Sequence, residues 1–368
     1  MAECMKVNRG GGSSGGGQYS GRLFGVEWDG SSSPLWTRTD DSALFPDPVA
    51  AVNNGDGSSP FDTIMPWVGM QRVERAGGTM VKIPKYWYKW TRNGAKMKLQ
   101  IANYPRHGFY TAPAHADRGD GKGERDYVYI GAFHCVNGLK SKTGEKPNTA
   151  NTRNSYRVNI HNLGATIWQC DYAMFWTWAM LYLVEYANWD AQAVIGYGCG
   201  NNSSIENNGL CDAMLYHTGT DAATRDTYGH IRYRYIEGLW DNVFEWCDGI
   251  YFDADNMYCI KNPADFSDSS GGTLVAERVA SGWGYITGWT NPSVVGYEYA
   301  LYPNAFGGSD STYVPDYCSN SIGGTAGVTL VTGYNFTQSK KAGAFCLSGQ
   351  YSASSFDANR GSRIMELP

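Results

Sequence analysis

The groups in this chain that could do chemistry are its histidines, its cysteines and one dense run of carboxylates. The six histidines (His107, His115, His134, His161, His217, His230) show no i,i+4 pairing and no H-E-x-x-H, so no helix is set to offer two imidazoles to a metal. No G-x-S-x-G turn presents a nucleophilic serine, and no G-x-x-x-x-G-K-[ST] loop offers a phosphate cradle. The nine cysteines run from Cys4 to Cys346 without a C-x-x-C pair, which excludes a zinc ribbon or a thioredoxin-like motif. Their odd number leaves at least one thiol unpaired within the chain, and the set reads as free buried thiols in a reducing compartment. The carboxylates gather in Tyr235–Phe252 (YIEGLWDNVFEWCDGIYF), where Asp241, Glu245 and Asp248 could hold a cation or serve as turn and cap residues. Arg118-Gly119-Asp120, in the polar loop His115–Asp126, is the tripeptide read by integrins, and a charged loop also produces it by chance.

The elements that must position these groups are short and punctuated by glycine. Forty-six glycines beside 13 Trp, 26 Tyr and 13 Phe describe a loop-rich chain whose rings fill a core or line a recognition surface. The net charge of −5, without a long basic run, argues against nucleic acid as a partner. Met1–Gly17 has no apolar stretch, so no signal peptide is read. Residues 1–18 form a linker around Arg9–Gly17 (RGGGSSGGG) that would tether the rest of the chain to a larger assembly. In Met80–Trp90 (MVKIPKYWYKW) aromatic residues alternate with lysine, which predicts a strand with one buried face. Trp168–Trp189 predicts one strong helix. Its run Ala173–Val184 is apolar nearly all round but shorter than the ~20 residues a membrane span needs, so a buried helix and no membrane insertion are expected. The class is α+β, with more loop than regular structure.

Two segments together resemble a known family. Gly238–Trp246 (GLWDNVFEW) is similar to the G-L-x-x-x-G-N-V-W-E-W signature of the formylglycine-generating-enzyme branch of the C-type-lectin fold. Val328–Met365 resembles that branch's last motif, with Gly333-Tyr334-Asn335-Phe336 at its turn and Asn359-Arg360-Gly361-Ser362-Arg363 at its end. The helix at Asp171–Tyr186 corresponds to the family's central helix and Ile83–Trp90 to its first strand. The tail further resembles the variable region of diversity-generating retroelement target proteins, which keep the lectin fold while a reverse transcriptase rewrites adenine-containing codons near the gene's 3′ end. Phe24–Pro66, with Ser59-Pro60-Phe61-Asp62, looks like the front half of such proteins in tailed phages and prophages.

The resemblance carries specific implications. The fold would be a C-type-lectin fold, with one or two buried helices on small antiparallel sheets. Residues 19–79 would be an extension packed on the head, and 80–368 the lectin-like domain carrying a variable segment at 328–365. Gly343, Ala344, Gly349, Ala353, Ala358, Gly361 and Ser362 would be fixed scaffold. Tyr334, Phe336, Gln338, Lys340, Lys341, Ser348, Gln350, Tyr351, Ser355, Phe356 and Asp357 would be the rewritten, ligand-binding set, with Arg363 helping to fix the backbone. Tyr334, Phe336, Tyr351 and Phe356 would form an exposed aromatic cluster. Met80–Trp90 would pair with the C-terminal strand around Arg363–Leu367. A structural calcium could sit beside Asp241, Val243 and Glu245, since hard cations take carboxylate and carbonyl oxygens; otherwise no cofactor is implied. The implied function is non-catalytic: a phage tail protein, made without a signal peptide and carried in the virion, that binds a host cell-surface protein or glycan. It would be attached to the tail through its N-terminus or assembled as a homotrimer. A bacterial surface adhesin is the alternative binding role. A formylglycine-generating oxidase is disfavoured, because Thr337-Gln338-Ser339-Lys340-Lys341 stands where the family carries its cysteines, and a lone Cys346 cannot supply a two-thiolate site for Cu(I).

Overall fold

A computed structural model describes residues 21–322 and 326–368; the expected linker at 1–18 and Cys4 lie outside the described residues. Among the described residues strands make up 34 % beside three α-helices, so the chain is a loop-rich α+β protein. The strands of the described residues lie in five small sheets. Their pairings are antiparallel except for Ala51–Val52 with Gly219–Thr220 and Phe244–Asp253 with Arg360–Gly361.

The helices are α1 (Arg153–His161), α2 (Tyr172–Tyr186) and α3 (Ala191–Val194). At α2, Asp171 accepts the Met174 N–H at 2.8 Å as N-cap, and Ala187 closes the helix in the left-handed conformation. All fifteen residues of α2 are buried, which is what an apolar run on every face demands. Other segments hydrogen-bond to its middle: Trp67 Nε1 donates to the Leu181 carbonyl at 3.1 Å and the Tyr86 hydroxyl to that of Thr177 at 2.7 Å. No helix among the described residues is long and apolar enough to cross a membrane. Sequence periodicity missed α1, whose surface is mostly polar. Thr152 caps it by accepting the Ser155 N–H, and Tyr156 and Ile160, one turn apart, are its buried apolar contacts.

The last turn of α2 holds a buried ion pair. Glu185 accepts from Arg234 Nε at 2.7 Å and Nη2 at 2.6 Å, from the Tyr233 hydroxyl at 2.9 Å and from Ser59 Oγ at 2.8 Å. Asp62 receives Arg234 Nη2 at 3.0 Å, the Tyr216 hydroxyl at 2.9 Å and His217 Nε2 at 2.8 Å. Burial would raise the Asp62 carboxyl, but these donors hold it at about 2. The front motif Ser59-Pro60-Phe61-Asp62 is thus joined to the central helix through charge as well as packing.

Three expectations need correction. Met80–Trp90 is two strands, Gly78–Pro84 and Trp87–Asn93, in different sheets. Pro84 ends the first, having no N–H with which to continue a ladder, and Tyr86 is buried on the way to the second. Gly78–Pro84 does share a sheet with the terminal strand Ile364–Glu366, but Tyr127–Gly131 lies between them and pairs with both. Finally, residues before 80 are woven into the molecule rather than packed on its outside. Leu23–Trp28 pairs with Lys96–Ala102, the strand Gly78–Pro84 spans the expected boundary, and one hydrophobic cluster runs from Phe24 to Leu367.

Candidate functional site

The C-terminal segment is built on a three-strand frame. Ala326–Thr332 lies between Phe244–Asp253 and Leu347–Ser352, with Arg360–Gly361 added in parallel beside Phe244 and Glu245. Small residues let this frame close. A Cβ on Gly343 would lie 1.7 Å from Asp316 Oδ1, and one on Gly349 would lie 2.6 Å from the Tyr302 hydroxyl. Of the expected scaffold positions, Gly343, Ala344, Gly349, Gly361 and Ser362 are buried, whereas Ala353 is half-buried and Ala358 exposed.

Arg363 anchors the end of the segment. Its fully buried guanidinium binds both oxygens of Glu245, with Nη2 at 2.6 Å and Nε at 2.9 and 3.1 Å, and donates to the carbonyls of Gly131 and Glu237 at 2.8 Å. Burial alone would raise the Glu245 carboxyl; Arg363 and His134, whose Nε2 is 3.1 Å away, bring it down to about 2.

The eleven tail residues expected to bind a ligand divide by burial. Lys340, Lys341, Phe356 and Asp357 are exposed, and Phe336, Gln338, Gln350, Tyr351 and Ser355 are half-buried. Tyr334 and Ser348 are buried. Tyr334 turns inward because the loop folds back, the Gly333 N–H reaching the Cys346 carbonyl at 3.0 Å, and its ring packs 4.8 Å from that of Phe244. Ser348 is covered by the strand Val314–Asn320, where the Ser319 N–H donates to its hydroxyl at 3.3 Å. The expected cluster of four exposed rings is therefore corrected. Tyr334 belongs to the core, and Phe356 packs face-on or edge-on with no other ring among the described residues. Tyr351 rests on Trp246 at 6.0 Å, beneath the Arg360 guanidinium at 4.0 Å.

The aromatic neighbours of the exposed lysines come from elsewhere in the chain. Lys341 Nζ lies 4.7 Å above the Tyr317 ring and Lys340 Nζ lies 4.9 Å above Tyr197. Tyr285 meets Tyr317 edge-on at 5.4 Å, and Trp283, on the same face of its strand, is 66 % exposed. Sequence reasoning missed these residues. The available signal was the alternation of Gly282, Gly284 and Gly288 with Trp283, Tyr285 and Trp289.

The carboxylates of Tyr235–Phe252 go to separate partners. Asp248 binds Arg157 at 2.7 and 2.8 Å, and Glu237 accepts the N–H groups of Gly209 and Cys211 at 2.6 and 3.0 Å. Asp241 accepts the Ile231 N–H at 2.9 Å, while its backbone carbonyl takes the Val243 N–H at 2.7 Å. Its Oδ1 has no partner among the described residues, and burial pushes this carboxyl up to about 7. A calcium beside Asp241, Val243 and Glu245 would have to compete with Arg363 for Glu245. Among the described residues no three His, Cys, Asp or Glu side chains converge as metal ligands. The residues present do not fit that ion.

The eight described cysteines are buried and unpaired. Cys346 is less isolated than its spacing implied. The strand holding Cys318 runs beside it, and the Cys318 thiol donates to the Leu347 carbonyl at 2.5 Å. Burial drives both thiols well above the ordinary thiol value, so neither is a ready thiolate. No protein-family model and no curated protein matches the chain.

Proposed function

We propose that this chain is a non-catalytic ligand-binding protein of the C-type-lectin fold, a diversity-generating retroelement variable protein that serves a phage tail in host attachment. The observation that carries the reading is the division of labour within residues 328–365. Gly343, Gly349, Gly361 and Arg363 are locked into contacts that tolerate no larger or differently charged side chain, whereas Lys340, Lys341, Gln350, Ser355, Phe356 and Asp357 are wholly or partly exposed on the same short segment. A surface that varies without cost to folding needs this arrangement. The corrected binding set omits Tyr334 and Ser348 and adds Tyr197, Trp283, Tyr285 and Tyr317, whose rings give anchoring area beside two lysines. The partner is a protein or glycan of the host surface, and the protein is carried in the virion, joined to the tail through its N-terminus or as a trimer.

The genomic neighbourhood tests the assignment. A reverse-transcriptase gene accompanied by a near-copy of codons 328–365, differing at adenines, is expected; its absence would remove the retroelement reading. Attachment of the labelled chain to intact host cells tests the surface. Lys341→Glu together with Phe356→Ala is expected to abolish attachment at unchanged melting temperature, and unimpaired attachment would move the site elsewhere.

A further inference from the structure

A second cleft lies away from the C-terminal segment. Tyr88, Tyr110, Tyr299, Thr111, Arg118 and Lys261 line a space of about 240 Å³. It adjoins a wider one of about 570 Å³, and Asp117, Arg118 and Lys261 line both. The wider space is of the size that small-molecule sites usually have, roughly 300–1,000 Å³, and the narrower one opens from it.

Its polar groups are unevenly satisfied. Arg118 is 2 % exposed; its Nη2 pairs with the buried Asp171 and its Nε donates to the Lys261 carbonyl at 2.6 Å. Its Nη1 finds no acceptor among the described residues, an uncommon state for a buried guanidinium. Lys261 has no carboxylate within ion-pair distance among the described residues, and its Nζ stands 4.8 Å above the Tyr297 ring. The carboxylates nearby are already engaged. Glu124 accepts the Thr111 hydroxyl at 2.7 Å, Asp117 accepts the Gly119 N–H at 2.9 Å, and Glu298 accepts the Gly296 N–H at 3.0 and 2.9 Å. The cleft therefore offers the Lys261 ammonium beside a buried guanidinium, several acceptors held in place, and tyrosines that present both a ring and a hydroxyl.

We propose that this cleft is a second binding site, separate from the C-terminal surface, for a sugar unit that carries a carboxylate. The carboxylate belongs at the Lys261 ammonium, which can give it a charge-assisted hydrogen bond, with the buried Arg118 guanidinium behind. The sugar ring belongs against Tyr110 and Tyr299, and its hydroxyls meet Thr111, Asp117 and Glu124. The volume exceeds what an inorganic anion needs, and the continuation into the wider space leaves room for a neighbouring unit, so the ligand is an acidic glycan rather than a free anion. This also gives Arg118-Gly119-Asp120 a different role from the one its spelling suggests. Arg118 is buried and Asp120 is paired with Arg125, so the triplet is not displayed for an external receptor.

Calorimetric titration of the full chain with glucuronic acid, glucose and acetate tests the proposal. Glucuronate is expected to bind saturably, with glucose and acetate each weaker by about tenfold or more, the loss expected when one charge-assisted hydrogen bond or the ring contact is missing. Lys261→Met and Tyr110→Ala are each expected to weaken glucuronate by about tenfold at unchanged melting temperature, because neither side chain carries a buried ion pair. Lys341→Glu, at the C-terminal surface, is expected to leave glucuronate binding unchanged, which separates this site from that one. No saturable glucuronate binding, or equal binding of glucose, overturns the proposal; so does equal binding of acetate, or full affinity in Lys261→Met.

Discussion

The end of α2 and the tip of the C-terminal segment both carry charge beside aromatic rings, and they use it in opposite ways. At Glu185 each carboxylate oxygen is taken by a buried donor, and the partner Arg234 is itself 2 % exposed. At Lys340 and Lys341 the ammonium groups lie over tyrosine faces in contact with solvent, with no carboxylate in ion-pair distance among the described residues. A buried pair that loses one partner strands a charge, whereas a solvated lysine loses little when it is replaced. Charge at α2 therefore specifies the fold, and charge at the tip is free to specify a partner.

The largest effect is expected inside the core. Glu185→Ala should cost about 3–5 kcal/mol in urea denaturation, because the buried Arg234 loses its two-point partner and keeps only Asp62 at 3.0 Å, while the Tyr233 hydroxyl loses its acceptor. Tyr334→Ala should cost about 3–5 kcal/mol as other large-to-small aromatic changes do, although it lies in the same segment as the exposed lysines. A Tyr334→Ala loss below about 1 kcal/mol would return that residue to the surface set and blur the contrast. Next in size, Gly349→Val should destabilise by about 1–3 kcal/mol through overpacking against Tyr302, with reduced melting temperature as the readout.

Acid and base should act on two other buried groups with opposite signs. His115 is fully buried with both ring nitrogens unpartnered among the described residues, and burial, helped by Lys85 and Arg125, pushes its pKa from 6.5 down to about 3. The unfolded chain takes up this proton first, so the stability tied to a neutral His115 is present above pH 6.5 and is lost as pH falls toward 3. The slope is about 1.4 kcal/mol per pH unit at most, and His115→Phe should remove it from the pH dependence of unfolding. Burial raises Asp241 from 3.8 to about 7, so its contribution is greatest below pH 3.8 and is lost as pH rises toward 7. Asp241→Asn should therefore make the protein relatively more stable at pH 8 than at pH 4; the reverse trend would show that Asp241 is ionised in the folded state. The smallest change in stability belongs to the tip, where Lys341→Glu should fall within about 0.5 kcal/mol of the parent chain.

Particular residues show how much could be read from the chain alone. The helix from Asp171 was legible because twelve apolar residues between a capping aspartate and Glu185 have only one stable solution in water, burial on every face. The scaffold glycines in the tail were legible because residues so small, placed between unrelated neighbours, mark close approach. The division of Met80–Trp90 between two sheets was not legible. Both halves alternate correctly, and only the packing of Tyr86 beneath α2 decides where the chain turns. Nor was the inward turn of Tyr334, since a tyrosine fits a core or a surface equally well and its partner Phe244 stands 90 positions away in sequence. Composition and local pattern determined the class, the central helix and the absence of familiar catalytic motifs, because these depend on neighbours along the chain. Tertiary structure alone decided which charges are paired, which rings face water and that Arg118 lies in a cleft, because hydrogen bonding and burial are set by residues that meet only after folding.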